Sequence, residues 1–401
     1  MLKNLNSKIL VFTLIFILFF PSKHLYFFYF FVFSFSFGFL LKNVSYLKTS
    51  VSLNLLLLIL VGVIFSSLLP VMFLGSNISK NLTEVLRFLP VIFILLSFYK
   101  VDFPYKSLVI VFSSYTIINF IVSFLQFNNS AAIGFVGNIY SSELHVKSSL
   151  GIANRALGLS SGPGSNGAIS AILCIFFIVT YFFQKDFKKT SIVLYLLSFS
   201  NILLSQSQTA FVSVLLITFL VIIFFIIKFI KRKSIVKVLP FLAVILGGGL
   251  WAFNKYMEQL RYLSTLFEMG LSRSSYEARE DKVGLIWDLV TQRPFFLFFG
   301  HGKDFVPYSS GMDNEYIFII AVYGLFTLLA FIIWYLYSFM FLFLYKNIYG
   351  YLVVFTLACG LVIAWPSAFI SDPRLMFIFC LYIALCLNFS YKEKEGLVKY
   401  E

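Results

Sequence analysis

The chain has 401 residues, of which 60% are hydrophobic, 20% are aromatic and 12% are charged, and its net charge is +14. A typical soluble domain carries about 25% charged residues, so a chain this apolar could not cover a surface that faces water. These values exclude a soluble enzyme and a soluble domain with a single membrane anchor, and they make lipid the main solvent.

Apolar runs separated by charges, prolines and polar clusters predict an all-α integral membrane protein with about twelve transmembrane helices. A transmembrane barrel would show alternating segments of about ten residues instead. The first run lacks a small-residue cleavage site after it, so we expect a retained helix. Around Ser205–Gln208 two alternatives stay open, a tight hairpin or one broken helix. The predicted limits are 9–21, 25–41, 51–74, 83–98, 107–127, 166–184, 190–205, 208–230, 238–253, 314–343, 351–370 and 375–390.

Basic residues alternate between the predicted loops. If both termini are cytoplasmic, 18 of the 31 Lys and Arg residues fall on the inner side, with only 5 of the 17 Asp and Glu residues. This is the distribution that the positive-inside rule requires. The net charge therefore predicts topology and needs no nucleic acid as a partner.

Arginine departs from this pattern. Only Arg232 falls on the predicted inner side. The guanidinium is always charged and offers a planar fork that suits phosphate, so the asymmetry favours an anionic ligand at the outer face. The alternative is that long outer loops tolerate charge of either sign. The arginines predicted to be outside are Arg87, Arg155, Arg261, Arg273, Arg279, Arg293 and Arg374.

Two outer segments are much longer than the other connections. Loops beyond roughly 12–15 residues are usually functional or disordered, and an enzyme that acts at the outer face would need such segments to build a site. In the second segment, Tyr276–Val290 predicts an amphipathic helix. The resulting division is 1–127 (helices 1–5), 128–165 (first outer segment), 166–253 (helices 6–9), 254–312 (second outer segment) and 313–401 (helices 10–12 and a cytoplasmic tail).

The first outer segment ends in a glycine-rich approach to an apolar helix, for which Ser165 or Asn166 is the predicted N-cap. A helix N-terminus with accessible backbone N–H groups favours an anion, and Arg155 lies close by in sequence. The alternative is an ordinary turn into a helix. In the second segment, Asp313 and Glu315 open the next helix, where acidic residues also stabilise a helix without any catalysis.

Four groups of residues occur in a fixed order along residues 150–325. The first is Arg155, Gly158, Pro163 and Asn166, and the second is the turn Ser205–Ala210. The third is Arg279, Trp287, Pro294, Gly300 and Gly302, and the fourth is Asp313 with Asn314. This order resembles the bacterial O-antigen polymerase and ligase superfamily, and within it the oligosaccharide repeat-unit polymerases of the Wzy type. The chain departs from the family pattern at Gln208, where arginine is common, and at Asp313, where ligases usually have histidine. The spacing around Arg279 and Trp287 is also looser than in the family, so Lys282 or Arg273 could fill the role given to Arg279.

The resemblance implies a GT-C-like fold and a metal-independent glycosyltransferase without cofactors, which joins undecaprenyl-diphosphate-linked donor and acceptor oligosaccharides. Arg155 and Arg279 would stabilise the departing diphosphate and Asp313 would act as general base, with Glu143 and His145 as the next choices for the base. Further contacts to diphosphate or sugar are expected from Arg273, Lys282, Asn166, Asn314 and Arg293.

The same resemblance implies a bacterial cytoplasmic (inner) membrane, an active site on the periplasmic side and a product that becomes lipopolysaccharide O-antigen or capsule. Membrane lipid and a chain-length regulator are the further partners expected. Two other functions stay open, an O-antigen ligase and a flippase of lipid-linked oligosaccharides. A flippase would carry charges inside its spans, whereas the ionisable residues here lie at predicted helix ends and in loops.

Overall fold

A computed structural model describes residues 2–21, 23, 25–43, 49–128, 134–229, 247, 262–265, 274–307, 314–365 and 367–396. Within these ranges the regular structure is helical, without strands. This confirms the predicted all-α class. The chain folds this way because apolar residues in lipid must satisfy every backbone hydrogen bond inside their own segment, which a helix does.

Besides 3₁₀ helices at Phe98–Lys100 and Lys185–Phe187 and a helical turn at 262–265, seventeen α-helices of the described ranges are numbered in chain order. They are α1 Leu2–Phe19, α2 Leu25–Asn43, α3 Val51–Leu74, α4 Ile78–Leu96, α5 Tyr105–Phe127, α6 Gly134–Tyr140, α7 Glu143–Val146, α8 Pro163–Phe183, α9 Lys188–Ser205, α10 Gln208–Phe229, α11 Ser274–Thr291, α12 Pro294–Phe299, α13 Glu315–Phe318, α14 Gly324–Phe339, α15 Phe341–Leu344, α16 Ile348–Ala364 and α17 Pro373–Lys394. Wider π turns follow α7 at Lys147–Ile152 and α13 at Ile319–Tyr323.

Among the described residues, 7 helices are long and apolar enough to cross a membrane, and Asn6–Phe19, Phe27–Lys42 and Ile348–Ala364 are shorter apolar helices. The chain is therefore membrane-embedded. Every predicted span in the described ranges overlaps a helix, whereas the predicted span 238–253 lies outside them except for Gly247. The number of twelve and the side of each loop stay predictions. The seven long helices are Val51–Leu74, Tyr105–Phe127, Pro163–Phe183, Lys185–Ser205, Gln208–Ile227, Glu315–Leu344 and Pro373–Lys394.

The centre of the bundle is formed by α8 and α17. Within the most apolar window of each helix, 83% and 78% of the residues are buried. Helices α9 and α10 form a tight hairpin beside α8, which resolves the two alternatives at this turn. The hydroxyls of Tyr195 and Thr218 lie 3.0 Å apart across the two helices, and Gln206 adopts a left-handed conformation (φ 48°) at the end of α9.

Long-range contacts gather the predicted outer ends of the helices at one end of the bundle, which we call the site end. There Arg374 donates a hydrogen bond to the carbonyl of Phe20 at 2.9 Å, and Lys23 donates one to the carbonyl of Asn138 at 2.9 Å. At the opposite end, Lys392 pairs with Asp102 at 3.5 Å.

The predicted amphipathic helix in the second outer segment is confirmed as a helix by α11. Ile286 and Val290, one turn apart, are buried, whereas Leu285 and Trp287 are exposed. The segment therefore packs one face against the bundle.

Candidate functional site

Arg155 lies at the site end, in the loop that leads to α8. Its Nε donates to the carbonyl of Ser205 at 3.2 Å, and its guanidinium carbon lies 4.1 Å from the centre of the Tyr262 ring. The side chain is half-buried. A guanidinium stacked on an aromatic ring loses little freedom when it binds an anion, so this arginine is preorganised.

The serine-rich turn between α9 and α10 holds the Arg155 loop in place. The Gln206 amide donates to the carbonyl of Asn154 at 2.9 Å. Its oxygen accepts from the backbone N–H groups of Tyr262 and Leu263 at 2.9 and 3.2 Å. Gln208 donates to the carbonyl of Tyr262 at 2.7 Å. Gln208 therefore braces the backbone that carries the Tyr262 ring.

Gly158 and Asn166 pack against each other inside the glycine-rich segment that leads to α8. Gly158 has φ +56°, and a Cβ there would lie 2.8 Å from Asn166 Oδ1. Asn166 is fully buried; its Oδ1 accepts from Asn119 at 2.8 Å, and its amide nitrogen donates to Ser123 Oγ at 3.2 Å. These bonds occupy the side chain that we expected to contact substrate, so Asn166 shapes the loop instead.

The predicted N-cap of α8 is wrong. The helix begins at Pro163, with Gly162 as its N-cap and without a side-chain capping bond. Proline is favoured at the first helical position because its missing N–H needs no partner there. The glycine-rich stretch thus forms the first turn of the helix itself, which brings Gly164 and Asn166 inside it.

His145 lies over this helix start, where its Nε2 is 2.8 Å from the position that a Cβ on Gly162 would occupy. Partial desolvation and the positive charge of Arg155 lower the pKa of His145 below its ordinary value. A neutral imidazole near neutral pH can accept a proton. Glu143 is exposed and forms an ion pair with Lys147 at 2.8 Å, so its carboxylate already has a cation.

At the start of α13, Asn314 is an N-cap, since its Oδ1 accepts from Tyr316 N at 3.0 Å and from Ile317 N at 3.1 Å. Asp313, the predicted base, and Arg273 lie outside the described residues, as does the side chain of Arg279. Their roles stay predictions. Lys282 is half-buried on α11.

A third connection at the site end, between α16 and α17, was missed in the sequence. The backbone of this connection donates hydrogen bonds to the carboxylate of Glu315. Arg374, which follows the connection at the start of α17, donates to the carbonyl of Leu159 in the loop that carries Arg155. The sequence feature that could have indicated this connection is Asp372-Pro373-Arg374, a capping residue and a helix-starting proline followed by an arginine.

The second outer segment docks on the π turn Ile319–Tyr323, and on α3 and α4, through Gly300-His301-Gly302. His301 N and Gly302 N donate to the carbonyls of Ala321 and Val322 at 3.0 and 3.1 Å. A Cβ on Gly302, whose φ is +75°, would lie 2.9 Å from Asn81. A Cβ on Gly300, whose φ is +91°, would clash with the carbonyl oxygen of Val322. Both glycines are therefore required for the close backbone approach.

Next to this loop lies a buried ionic cluster that the sequence did not reveal. Glu84 pairs with Arg87 at 2.8 Å and with Lys303 at 2.6 Å, and it also accepts from the Tyr323 hydroxyl. Arg87 donates to the Tyr29 hydroxyl at 3.2 Å. Arg87, which we counted among the arginines that favour an anionic ligand, thus has a carboxylate of the protein as its partner.

Arg293 lies in this second neighbourhood and not beside Arg155. Its guanidinium carbon is 5.2 Å from the ring centre of Phe305, and its side chain is exposed. In the part of the chain that is described, no group of three His, Cys, Asp or Glu residues could hold a metal ion. No family model, curated protein or solved structure matches the chain.

Proposed function

We propose that the protein polymerises undecaprenyl-diphosphate-linked oligosaccharide repeat units at the outer face of the bacterial cytoplasmic membrane, by metal-independent glycosyl transfer. The observation that carries the proposal is the half-buried Arg155, stacked on Tyr262 beside the glycine-rich start of α8.

The reaction breaks the bond between the anomeric carbon of the donor sugar and its lipid diphosphate, so negative charge grows on the leaving oxygen. A preorganised cation in a site shielded from water stabilises such charge without reorganising. Arg155 supplies this cation. The start of α8 adds the positive end of a long helix, without a side-chain cap at Gly162 that would compete for its N–H groups. Arg279, with Arg273 or Lys282, supplies the second cation.

The acceptor hydroxyl must lose a proton as it attacks. Asp313 is our first choice for the base, because it directly precedes the helix that Asn314 caps. His145 is the second choice, since its lowered pKa keeps the imidazole able to accept a proton. The acceptor sugar would then be bound between the Arg155 loop and the start of α13.

The test is a gel of surface polysaccharide and lipid-linked intermediates from a strain that lacks this gene. Loss of the ladder, with single repeat units still reaching the surface, supports a polymerase. Long chains that stay on the carrier lipid would indicate a ligase, and repeat units trapped on the cytoplasmic side would indicate a flippase. Either result would overturn the proposal.

Complementation with Arg155→Ala tests the site itself. We expect a loss of about 10²–10³-fold in the rate of polymerisation, the effect of removing one preorganised donor from developing charge. Arg155→Lys should recover part of it. The matched control is Lys147→Ala, an exposed cation in the same segment, which should leave the ladder normal.

A further inference from the structure

The connection between α16 and α17, residues 367–372, is held from one side by Glu315. This carboxylate is 2% exposed. It accepts hydrogen bonds from three consecutive backbone N–H groups, those of Phe369 at 2.8 Å, Ile370 at 2.9 Å and Ser371. Consecutive N–H groups of this kind form a concave anion site, and here a side chain of the protein fills it.

Only a carboxylate fits this arrangement. Its two oxygens are both acceptors, whereas the amide of glutamine would turn one NH₂ group toward backbone donors. Glu315 therefore does more than begin α13. It fixes the path of the connection relative to the helix start that Asn314 caps.

The other side is held by Arg374, which is 2% exposed. Its Nη1 donates to the carbonyl of Leu159 at 2.9 Å and to Ser160 Oγ at 3.4 Å, and its Nη2 donates to the carbonyl of Phe20 at 2.9 Å. Within the described ranges, no carboxylate lies within ion-pair distance of this guanidinium.

Burying a cation without a counter-ion costs free energy. The hydrogen bonds of Arg374 offset part of this cost, and through them one guanidinium joins the end of α1, the Arg155 loop and the start of α17. Just before the residues that Glu315 holds, Ser367 Oγ lies 3.8 Å from the position that a Cβ on Gly164 would occupy. The connection therefore lies next to the glycine-rich start of α8, about one side-chain atom away.

We propose that Glu315 and Arg374 are positioning residues, which hold segment 367–372 as a rigid spacer between the Arg155 loop and the start of α13. The spacer sets the separation of the two halves of the site, the cation on one side and the acceptor end on the other. This inference rests on the proposed function for its consequence in catalysis, but its geometry can be tested alone.

The geometric test is a disulfide between Gly164→Cys and Ser367→Cys in the full chain. Cys174, Cys359, Cys380 and Cys386 are buried and can stay. We expect the pair to crosslink readily under mild oxidation. Glu315→Gln or Arg374→Ala should slow crosslinking by about tenfold or more. This factor corresponds to about 1.4 kcal/mol less free energy holding the two residues side by side. Asp288→Asn, at an exposed carboxylate on α11, is the matched control and should change nothing.

The functional test is rescue. Glu315→Gln should shorten the polysaccharide ladder, and the Gly164→Cys/Ser367→Cys disulfide, which an oxidising periplasm would form, should restore it. Arg374→Lys should crosslink faster than Arg374→Ala because an ammonium can still donate to the carbonyls. Because a disulfide also stabilises a fold in general, the amount of membrane-inserted chain is measured in each variant. Loss of the ladder in Glu315→Gln at an unchanged amount, followed by rescue, separates positioning from misfolding.

Two results would overturn the inference. One is an unchanged crosslinking rate in Glu315→Gln and Arg374→Ala. The other is a normal ladder in variants that have lost the crosslink. A normal ladder in Arg155→Ala is a different failure, because it would refute the proposed site and leave the crosslinking result standing.

Discussion

Replacing Glu84 by glutamine removes the charge from the buried ionic cluster and keeps the volume of the side chain. Glu84 is 1% exposed, and its two oxygens serve Arg87, Lys303 and Tyr323. The variant leaves two cations beside each other with no carboxylate between them. Removing one partner of a buried ion pair costs about 3–5 kcal/mol, and here one substitution removes the partner of both cations.

The chain provides a matched control across the same two segments. Lys80 pairs with Asp304 at 2.7 Å, but its side chain is 62% exposed. Exposed pairs contribute about 0–1 kcal/mol. Both ion pairs join α4 to residues 303 and 304, so Lys80→Ala tests the same docking with little desolvation.

The assay is unfolding of the purified full chain in detergent with increasing denaturant. We expect Glu84→Gln to lower the free energy of unfolding by about 3 kcal/mol or more and Lys80→Ala by about 1 kcal/mol or less. Adding Lys303→Met to Glu84→Gln should recover part of the loss, since it removes one of the uncompensated charges. Equal losses in Glu84→Gln and Lys80→Ala would refute the reasoning that burial makes this cluster costly to break.

Three further predictions follow from buried contacts. Burial chiefly, with the charge of Arg293, lowers the pKa of His301 from 6.5 to about 4. The free energy of unfolding should therefore fall as the pH drops from 6.5 to about 4, because the unfolded chain takes up the proton first. In unfolding measured against pH, His301→Phe should flatten this slope. Gly158→Ala should destabilise the chain by about 1–3 kcal/mol in the same assay, since it combines positive φ with a close contact. Gln208→Leu should weaken Arg155-dependent polymerisation by freeing the Tyr262 backbone.

Each of these has a control and a contradicting result. For the pH experiment, the difference between wild type and His301→Phe is the quantity of interest, and parallel curves would contradict the shift. Gly151→Ala is the control for Gly158→Ala, because a Cβ there meets nothing within 4 Å. For Gln208→Leu, a ladder of wild-type length would show that the brace is unnecessary.

Helix positions were predictable because long apolar runs leave the backbone only one way to satisfy its hydrogen bonds in lipid. Helix ends were less predictable. The fourth span was expected to begin at 83, but α4 begins at Ile78 because Asn77 caps it with a bond to Ser79 N. The first turns of α4 are polar, and a search for apolar runs cannot detect them.

The candidate site was predictable only in part. Arg155 and the glycine-rich start of α8 were identified from local sequence, and Asn166 in that start donates to the carbonyl of Ala156, the residue after Arg155. The roles predicted for them stay predictions. Asn166 was misjudged because its partners Asn119 and Ser123 lie on α5, about forty residues away. Glu315 looks like a helix-start residue in the sequence, and only tertiary structure brings its carboxylate to residues 369–371.

The most direct test of the central claim uses the purified full chain in lipid vesicles, supplied with lipid-linked repeat units extracted from a strain that lacks the gene, in the presence of EDTA. The proposed function predicts a ladder of lengths at multiples of the repeat unit, and a loss of at least about a hundredfold in its rate with Arg155→Ala. Repeat units that stay single with the wild-type chain, or a ladder that Arg155→Ala leaves unchanged, would contradict it.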